Sequence, residues 1–365
     1  MLSLRGKLVV WLNSFEGVYA SKQLQLLSCF ADEAAFDNEF CKSFEKVKHL
    51  LSEEQFMTMA GSLKNCGVDK ALEQATCYGA TVITIFSENY PRSLVNIPCP
   101  PTVLYCIGDT SLLNSKCVAV VGSRKSSLYG EKITKRFVKT LVANRVTIVS
   151  GLALGIDAAA HNAALENDGK TIAVLGGGFS KIYPPQHEQL FKTICEKGLV
   201  ITEFAPLTPS QPFHFPLRNR IVSGLSDGVF MSEAGKKSGT FTTIGHALDQ
   251  GRDVFIAPGE LYSPHCEGSN EMLKTIPDAL VICPEDIMER LNYTWIAQEK
   301  TGQAAPAQLS AEEKLIADFL SAGVRNFDDI VSRTKISPGI LQSCLSKLEI
   351  EGIVEKQAGN FFKLL

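Results

Sequence analysis

The amino-acid sequence predicts an α/β protein with a doubly wound parallel sheet, a helical region before the sheet and a winged-helix region after it. The main observation is a repeat that begins at Cys117, where apolar runs alternate with Gly-rich turns and helical stretches. The runs are, in order, CVAVV, RVTIVS, TIAVL, LVITEF, GVFMSEA, DVFIAP and ALVI. Apolar strands that are separated by helices are typical of a parallel sheet covered on both faces. We therefore assign residues 107–292 to this sheet.

The region before the sheet divides into a helical part and a connector. In residues 1–75, apolar residues recur at spacings of three and four in VVWLNSF, LQLLSCF and VKHLLSEEQFMTMAGSL, which predicts a small helical bundle. Ser52, followed by Glu54 and Gln55, is typical of a helix start. Residues 76–106 then form a connector with two short extended pieces, TVITIF and TVLYCIG, on either side of a Pro-rich run.

The last part of the chain predicts a linker and a winged helix. Residues 293–308 are polar and contain Ala, Gly and Pro, which is typical of a linker. Residues 309–365 indicate helix, helix, turn, helix and hairpin, which is the winged helix-turn-helix order. Pro338 suits the first turn of the third helix, and Ala358-Gly359-Asn360 suits the tip of the hairpin.

Composition and charge exclude several classes of protein. The 365 residues suggest two or three domains, and a net charge of -3 excludes a generally basic, histone-like binder while leaving room for a local basic patch. The 11 cysteines include no C-x-x-C pair, and the six histidines show no H-x-x-H pattern. We expect neither a disulfide scaffold, nor a metal site, nor a bound cofactor. With no signal-like start and no long apolar run, we expect a cytoplasmic protein without a membrane span.

The turns that follow the predicted strands combine small residues with cations. They are Gly122-Ser123-Arg124, Ser150-Gly151, Gly155-Ile156-Asp157, Gly176-Gly177-Gly178 and Ser238-Gly239-Thr240. Arg124, Arg218, Arg220, Lys236 and Lys237 lie in or beside them. In an open α/β sheet ligands bind beyond the carboxyl ends of the strands, so these turns predict a phosphate-binding edge. The alternative is that each glycine only serves a tight turn.

The segment PFHFPLRNRIVSGLS, which begins at Pro212, combines aromatic, cationic and amide side chains at a helix start, as single-strand binding requires. We expect Phe213 and Phe215 to lie in the core, and Phe179, on a Gly-rich loop, to be the better stacking candidate. We also expect Asp157 to cap a helix. Two nucleotide sites are excluded, because no G-x-G-x-x-G opens a helix after a strand and no G-x-x-x-x-G-K-[ST] occurs.

Several of these segments resemble the DNA processing protein A family (DprA, also called Smf). The matching stretches, in family order over about residues 90–285, are YPRSLVNIPCPPTVLYCIGD, VAVVGSRKSSLYG, IVSGLALGIDAAAH, GGGFSKIYPPQH, ITEFAPLTPSQPFHFPLRNRIVSGLSDGVFMSEA, SGTFTTIGHALDQGRDVFIAPG and EGSN. The resemblance implies an extended Rossmann domain that binds single-stranded DNA, a homodimer, and loading of the recombinase RecA during natural transformation. It implies no enzymatic activity.

The resemblance also implies a set of DNA-binding residues. They are Ser123 and Arg124, Gly151 and Gly155 with Asp157, Arg218, Asn219 and Arg220, and Lys237, Ser238, Gly239 and Thr240. Three features depart from the family pattern. His187 stands where, in the family, an Asn commonly follows the Tyr-Pro motif. Tyr19 replaces the second Gly of a turn that resembles the turn of SAM or helix-hairpin-helix modules. The presumed recognition helix places Glu349 and Glu351 beside Lys347, which favours partner or self contact for that domain.

An enzyme is the rival interpretation. The sheet also resembles that of nucleoside-monophosphate phosphoribohydrolases, whose P-G-G-x-G-T-x-x-E motif supplies a catalytic Glu. The comparable stretch here runs from Lys236 to Thr243, with Thr243 at the Glu position. A hydroxyl without an adjacent base cannot replace that carboxylate, so we favour the DNA-binding interpretation.

Overall fold

The computed structural model describes residues 2–296, 309–321, 323–350, 353–357 and 359–364. The chain forms two units, Met1–Ile296 and Ala297–Leu365. The boundary between the units lies within the predicted linker at 293–308, whose first four residues belong to the first unit; residues 297–308 lie outside the described residues.

The first unit is built on an eight-stranded sheet with the order β1-β2-β6-β5-β4-β3-β7-β8. The strands are β1 (Thr81–Thr84), β2 (Val103–Gly108), β3 (Cys117–Val121), β4 (Thr147–Ser150), β5 (Thr171–Val174), β6 (Leu199–Thr202), β7 (Gly228–Met231) and β8 (Asp253–Ile256). Strands β3 to β8 are parallel, which confirms the predicted doubly wound sheet. The ALVI run forms no strand, only a bridge from Leu280 to Ile256.

The segment predicted as a connector extends this sheet. Its two extended pieces are β1 and β2, which pair antiparallel with each other, and β2 pairs antiparallel with β6. The backbone groups of β6 that face away from β5 are therefore hydrogen-bonded, as buried backbone requires. The parallel sheet thus ends in an antiparallel hairpin on this side.

Fourteen helices surround the sheet in the described part of this unit. They are α1 (Leu4–Asn13), α2 (Ala20–Ser28), α3 (Glu33–Glu39), α4 (Phe44–Val47), α5 (Glu53–Lys64), α6 (Gly67–Cys77), α7 (Arg92–Val95), α8 (Leu128–Ala143), α9 (Ile156–Glu166), α10 (Glu188–Lys197), α11 (His214–Gly224), α12 (Thr240–Asp249), α13 (Glu267–Met272) and α14 (Pro284–Arg290). Short 3-10 turns are formed by Phe40–Lys42, Thr110–Asn114 and Pro185–His187. None of the described helices is long and apolar enough to cross a membrane.

Alternating residues of the strands point to two different cores. On one face, Val149 and Ile172 belong to a core shared with Ile221 of α11 and Ile244 of α12. On the other face, the neighbouring residues Val118, Val120 and Ile148 belong to a core shared with α8, α9 and α14. Helices therefore cover both faces, as the apolar character of the strands predicts.

The N-terminal helices pack on the sheet and share a core with it. Trp11, Phe36 and Phe40 form an aromatic cluster that continues to Tyr105 of β2 and Val200 of β6. Helix α5 begins where the sequence predicts, because the Ser52 hydroxyl accepts from the N–H of Gln55 at 3.2 Å. Burial of each such large side chain stabilises the fold by about 1.5–3 kcal/mol. The helical region is thus attached to the sheet by apolar contact.

The second unit is a winged helix, as predicted. Its elements are α15 (Ala311–Leu320), β9 (Arg325–Asn326), α16 (Phe327–Thr334), α17 (Pro338–Ile350), β10 (Val354–Gln357) and β11 (Phe361–Leu364), with the sheet order β10-β11-β9. Gly359 and Asn360 have φ of 78° and 63°. Both residue types tolerate this region, which suits the tip of the hairpin between β10 and β11. Ala358 lies outside the described residues.

Candidate nucleic-acid interface

A cavity of about 650 Å³ opens at the carboxyl ends of β3, β4 and β7. It lies where the chain order of the sheet reverses, since β3 has β4 on one side and β7 on the other. Turns that leave neighbouring strands in opposite directions separate at this point, which is where open α/β sheets bind ligands. Of the residues predicted to bind DNA, ten line the cavity: Ser123, Arg124, Gly151, Asp157, Arg218, Asn219, Lys237, Ser238, Gly239 and Thr240.

Arg218 forms the floor of the cavity. Its side chain is 3% exposed, and Nη1 donates to the carbonyl oxygens of Gly151, at 2.6 Å, and of Val174. Nε donates to Asn219 Oδ1 at 3.2 Å. Burial lowers the pKa of Arg218 to about 10, although the nearby Asp157 opposes this shift. A buried guanidinium that is held by carbonyl oxygens keeps its charge and a fixed orientation towards the cavity.

The turn after β3 is fixed by the start of α9. The N–H of Ile156 donates to the Ser123 carbonyl oxygen at 3.2 Å. Gly155 has φ of 76°, and a Cβ on it would lie 2.3 Å from that same oxygen. Gly155 does not line the cavity; it allows the two turns to approach each other, which any larger residue would prevent.

Asp157 holds the turn after β4 and does not cap α9. It lies inside the helix, is buried, and its Oδ2 accepts from the N–H groups of Gly151 at 3.1 Å and Ala153 at 3.3 Å. Burial raises the pKa of Asp157, while Arg218 and the two N–H groups lower it. The prediction that Asp157 caps a helix was wrong, because its carboxylate accepts from backbone N–H groups that precede α9 and not from those of its first turn.

The N-terminus of α12 forms the wall opposite the turn after β4. The Thr240 hydroxyl donates to the Gly122 carbonyl oxygen at 2.9 Å and accepts from the Ser238 hydroxyl at 2.8 Å. These bonds connect the turn after β7 to the turn after β3. The first N–H groups of a helix carry partial positive charge, so this wall favours an anion.

The cavity is strongly cationic. Arg124, Lys125, Arg218, Lys236 and Lys237 line it, whereas Asp157 is the one carboxylate in its described lining. Lys236 is paired with Glu267 at 2.5 Å. The other exposed cations, Arg124, Lys125 and Lys237, have no carboxylate within 4 Å in the part of the chain that the structure describes. Their charges are therefore available to an anionic ligand.

Two aromatic residues that the sequence analysis did not select line the cavity. Tyr183 is 54% exposed, and its ring lies 5.5 Å from that of the half-buried Phe215. The Arg124 guanidinium lies 5.4 Å from the Phe215 ring. Helical spacing could have indicated Phe215, because Arg218, Asn219 and the cavity residue Val222 follow it at three, four and seven positions along α11. The expectation that Phe215 is a core residue was wrong.

Arg220 does not belong to the cavity. It lies five positions after Phe215, on another face of α11, and its guanidinium forms a bidentate pair with Glu203 at 2.7 and 2.6 Å. Nε donates to the Cys99 carbonyl oxygen at 2.9 Å. Both side chains are buried. The guanidinium is thus saturated by protein groups, which argues against the predicted contact with DNA.

Phe179 is also placed away from the cavity. It is 6% exposed and belongs to the core shared by the N-terminal helices and the sheet, with Tyr78 at 6.3 Å between ring centroids. The backbone of the Gly-rich loop is held by residues 206–208, since the N–H groups of Gly178 and Phe179 donate to carbonyl oxygens of this segment at 2.8 Å. Phe213, expected in the core, is instead 49% exposed. Phe179 is therefore not available for stacking on a base in this structure.

Two residues of the cavity bear on the rival interpretation as an enzyme. Thr243, at the position of the phosphoribohydrolase glutamate, is buried in the lining, and Asp157 is occupied by backbone N–H groups. Among the described residues, no three His, Cys, Asp or Glu side chains are grouped as metal ligands.

Fold and site together define a class: a Rossmann-type α/β protein with a cationic cavity at the switch point of its sheet, joined to a winged helix. The chain belongs to the DNA recombination-mediator protein A family, whose model matches residues 81–292, more than half of its length. A second model, described as the DprA winged helix domain, matches residues 300–360. The resemblance found in the sequence is thereby confirmed.

Relatives from several bacteria are similar to the chain. Protein Smf of Escherichia coli is 42% identical over 61% of this chain and 61% of its own length. DNA processing protein DprA of Bacillus subtilis is 39% identical over 58% of this chain and 72% of its length. Protein Smf of Synechocystis is 31% identical over 82% of this chain and 84% of its length. The chain thus spans under two thirds of the Escherichia coli relative.

Two solved structures are similar in fold as well as sequence. DNA processing protein A from Streptococcus pneumoniae superimposes with a TM-score of 0.67 at 31% identity, covering 79% of this chain and 98% of that one. DNA processing protein A from Helicobacter pylori gives 0.53 at 30% identity, covering 59% and 98%. The latter structure concerns a single-stranded DNA binding mode of that protein.

Proposed function

We propose that this protein binds single-stranded DNA in the cavity between β3, β4 and β7, and that it holds the strand by its phosphates. The observation that carries the proposal is the lining itself, with five Lys and Arg side chains against one buried carboxylate. The Helicobacter pylori relative, whose structure concerns single-stranded DNA binding, supports it. So do the relatives named DNA processing proteins.

The groups of the cavity would contact the strand in three different ways. Arg218 and the N-terminus of α12 are fixed before binding, so they give a phosphate a defined position with little loss of entropy. Arg124, Lys125 and Lys237 are exposed and can follow the strand. Tyr183 and Phe215 offer ring faces to the bases, which bind any base because every base has a π-face. Binding is therefore steeply salt-dependent and nearly independent of sequence.

The cellular role that fits this binding is that of a recombination mediator. The protein holds incoming single strands in the cytoplasm during natural transformation, acts as a homodimer, and passes the strand to the recombinase RecA. It does so without catalysing a reaction. Its family membership supports this role.

The decisive experiment is a salt titration of binding to a fluorescent oligo-dT. The variant Arg124→Gln/Lys237→Gln removes two phosphate contacts, so the slope of log K against log salt falls by about 1.4, at about 0.7 per phosphate. Lys64→Gln/Lys274→Gln is the matched control, because both lysines are exposed and neither lines the cavity. Equal slopes in the two variants would overturn the assignment of this cavity to DNA.

A nucleotide-cleaving enzyme is the alternative that the same cavity raises. With Thr243 in place of the required carboxylate, we expect no cleavage of AMP by the pure protein. Release of free adenine that is lost in Arg218→Gln would replace the proposal with an enzyme.

A further inference from the structure

Helix α8 presents a row of four cations on its solvent side. Residues three, four and seven positions apart lie on one side of a helix. The members of this α8 cation row are all exposed: Lys132, Lys135, Arg136 and Lys139. The opposite side of the helix is buried against the sheet, where Phe137 stacks on Phe230 with ring centroids 4.4 Å apart. The row is thus held by a rigidly packed helix.

The charges of the row are not used within the fold. No Asp or Glu of the described residues lies within 4 Å of them. Glu131 accepts from the Ser126 hydroxyl at 2.6 Å, and the exposed Glu285 and Glu289 of the neighbouring α14 form no ion pair with α8. Like charges at this spacing destabilise a helix. The row therefore opposes stability, which points to a ligand outside the chain.

The row continues from the cavity. Lys125 lines the cavity, and α8 begins three residues later at Leu128. The connection is rigid, because the Ser127 hydroxyl accepts from the Gly130 N–H at 3.0 Å and donates to the buried Glu233 at 2.6 Å. From Lys132 to Lys139 the helix rises about 10 Å, at about 1.5 Å per residue.

We propose that the α8 cation row binds the phosphodiester backbone of the strand as it leaves the cavity, which makes the DNA path longer than the cavity itself. This inference rests on the proposed function. Phosphates fit the row better than a protein partner, because Lys is depleted from the cores of protein interfaces while it binds phosphate as a point charge. The row also begins seven positions after Lys125, on the helix that follows this cavity residue directly.

The test compares two lengths of oligo-dT, about six nucleotides to fill the cavity alone and about 30 to reach beyond it. The variant Lys132→Gln/Lys135→Gln/Arg136→Gln/Lys139→Gln removes the row. Its control, Lys64→Gln/Lys70→Gln/Lys197→Gln/Lys274→Gln, removes four exposed charges elsewhere. We expect the row variant to bind the short oligomer as wild type does. For the long one, we expect its salt slope to fall by up to about 2.8, while the control keeps the wild-type slope.

The other outcomes overturn the inference and separate it from the proposed function. If the row variant binds both lengths as wild type does, the row makes no DNA contact and the cavity assignment stands. If it loses affinity equally for both lengths, it disturbs the cavity and the row is no separate segment. If the wild type binds neither length, both proposals fail. A fluorescent poly-glutamate peptide tests the rival ligand, an acidic protein. If the row variant loses affinity for this peptide alone and keeps its affinity for DNA, the row binds acidic protein.

Discussion

Arg218 lies directly against Gly151. Its Nη1 donates to the Gly151 carbonyl oxygen at 2.6 Å, and a Cβ on residue 151 would lie 2.4 Å from its Nη2. The glycine that follows β4 therefore leaves room for the only cation that is buried in the cavity lining described here. The small residue and the guanidinium act as one unit, although 67 positions separate them.

This relationship predicts the effect of Gly151→Ala. The added methyl group displaces the guanidinium, so we expect the dissociation constant for oligo-dT to rise about tenfold or more, which is about 1.4 kcal/mol. Fluorescence anisotropy at fixed salt measures it. The control is Gly245→Ala, where a Cβ meets nothing within 4 Å. Wild-type affinity in Gly151→Ala would show that the position of Arg218 does not matter for binding.

Arg220 should act on stability and not on DNA. Arg220→Ala leaves the buried Glu203 carboxylate without its partner, which costs about 3–5 kcal/mol. Urea unfolding measures this loss, and Arg220→Met/Glu203→Leu should recover much of it. We expect the folded fraction of either variant to bind oligo-dT normally. A specific loss of affinity in a stable Arg220 variant would return this residue to the interface.

Two aromatic residues should give opposite results. Phe179→Ala opens a cavity in the core and costs about 3–5 kcal/mol of stability, with no change in affinity for the folded protein. Tyr183→Ala removes an exposed ring at the cavity, so stability stays near wild type while affinity falls by about 1–3 kcal/mol. Paired urea unfolding and anisotropy decide between them. The reverse pattern would restore Phe179 as the stacking residue.

His161 should make the fold sensitive to acid. It is fully buried, its Nδ1 donates to the Thr171 hydroxyl at 2.7 Å, and its Nε2 has no partner in the described residues. Burial, together with the charges of His187 and Arg218, lowers the pKa of His161 from 6.5 to about 3. The unfolded chain binds this proton below pH 6.5 and the folded chain does not. Stability present above pH 6.5 is therefore lost as the pH falls towards 3, by up to about 1.4 kcal/mol per unit.

Urea unfolding between pH 7.5 and 5 measures this loss. His161→Asn should flatten the profile, and the exposed His49→Gln provides the control. An equally steep profile in His161→Asn would assign the acid sensitivity to other groups.

The open edge of the sheet predicts the place of self-association. β8 is an edge strand, and the exposed Ile282 and Leu280 follow it beside its bridge to Ile256. Exposed apolar groups at an open edge favour pairing with a second copy. We expect Ile282→Asp to lower the mass measured by light scattering towards that of one chain, with Met57→Asp, an exposed residue of α5, as the control. A mass unchanged by Ile282→Asp would place the contact elsewhere.

Much of the fold, and the cationic turns of the site, could be predicted from local sequence patterns. The local sequence alone indicates a strand in apolar runs such as CVAVV. It likewise indicates a turn in Gly-rich segments such as Gly122-Ser123-Arg124. The pairing of β1 and β2 with the sheet is not local, since Thr84 meets Val103 across a Pro-rich loop. Nothing in either run shows that its partner is a strand of the sheet.

The errors in the site have two physical causes. Arg220 was grouped with Arg218 because they are close in sequence, whereas two positions along a helix separate side chains by about 200°. Phe179 is predicted to be a stacking residue because it lies on a Gly-rich loop. Here the Phe179 side chain lies in the core shared with the N-terminal helices, which are more than 100 residues away in sequence, so the residues next to Phe179 do not reveal its burial.

The shared core of the N-terminal helices and the sheet has a consequence for where the protein can be divided. The match to the family model begins at residue 81, but a chain started there would expose Val103, Tyr105 and Phe179 to water. The start of that match is therefore not a folding boundary. A shortened chain would aggregate through this face, and a partner that binds the N-terminal helices would also be fixed to the sheet and its cavity.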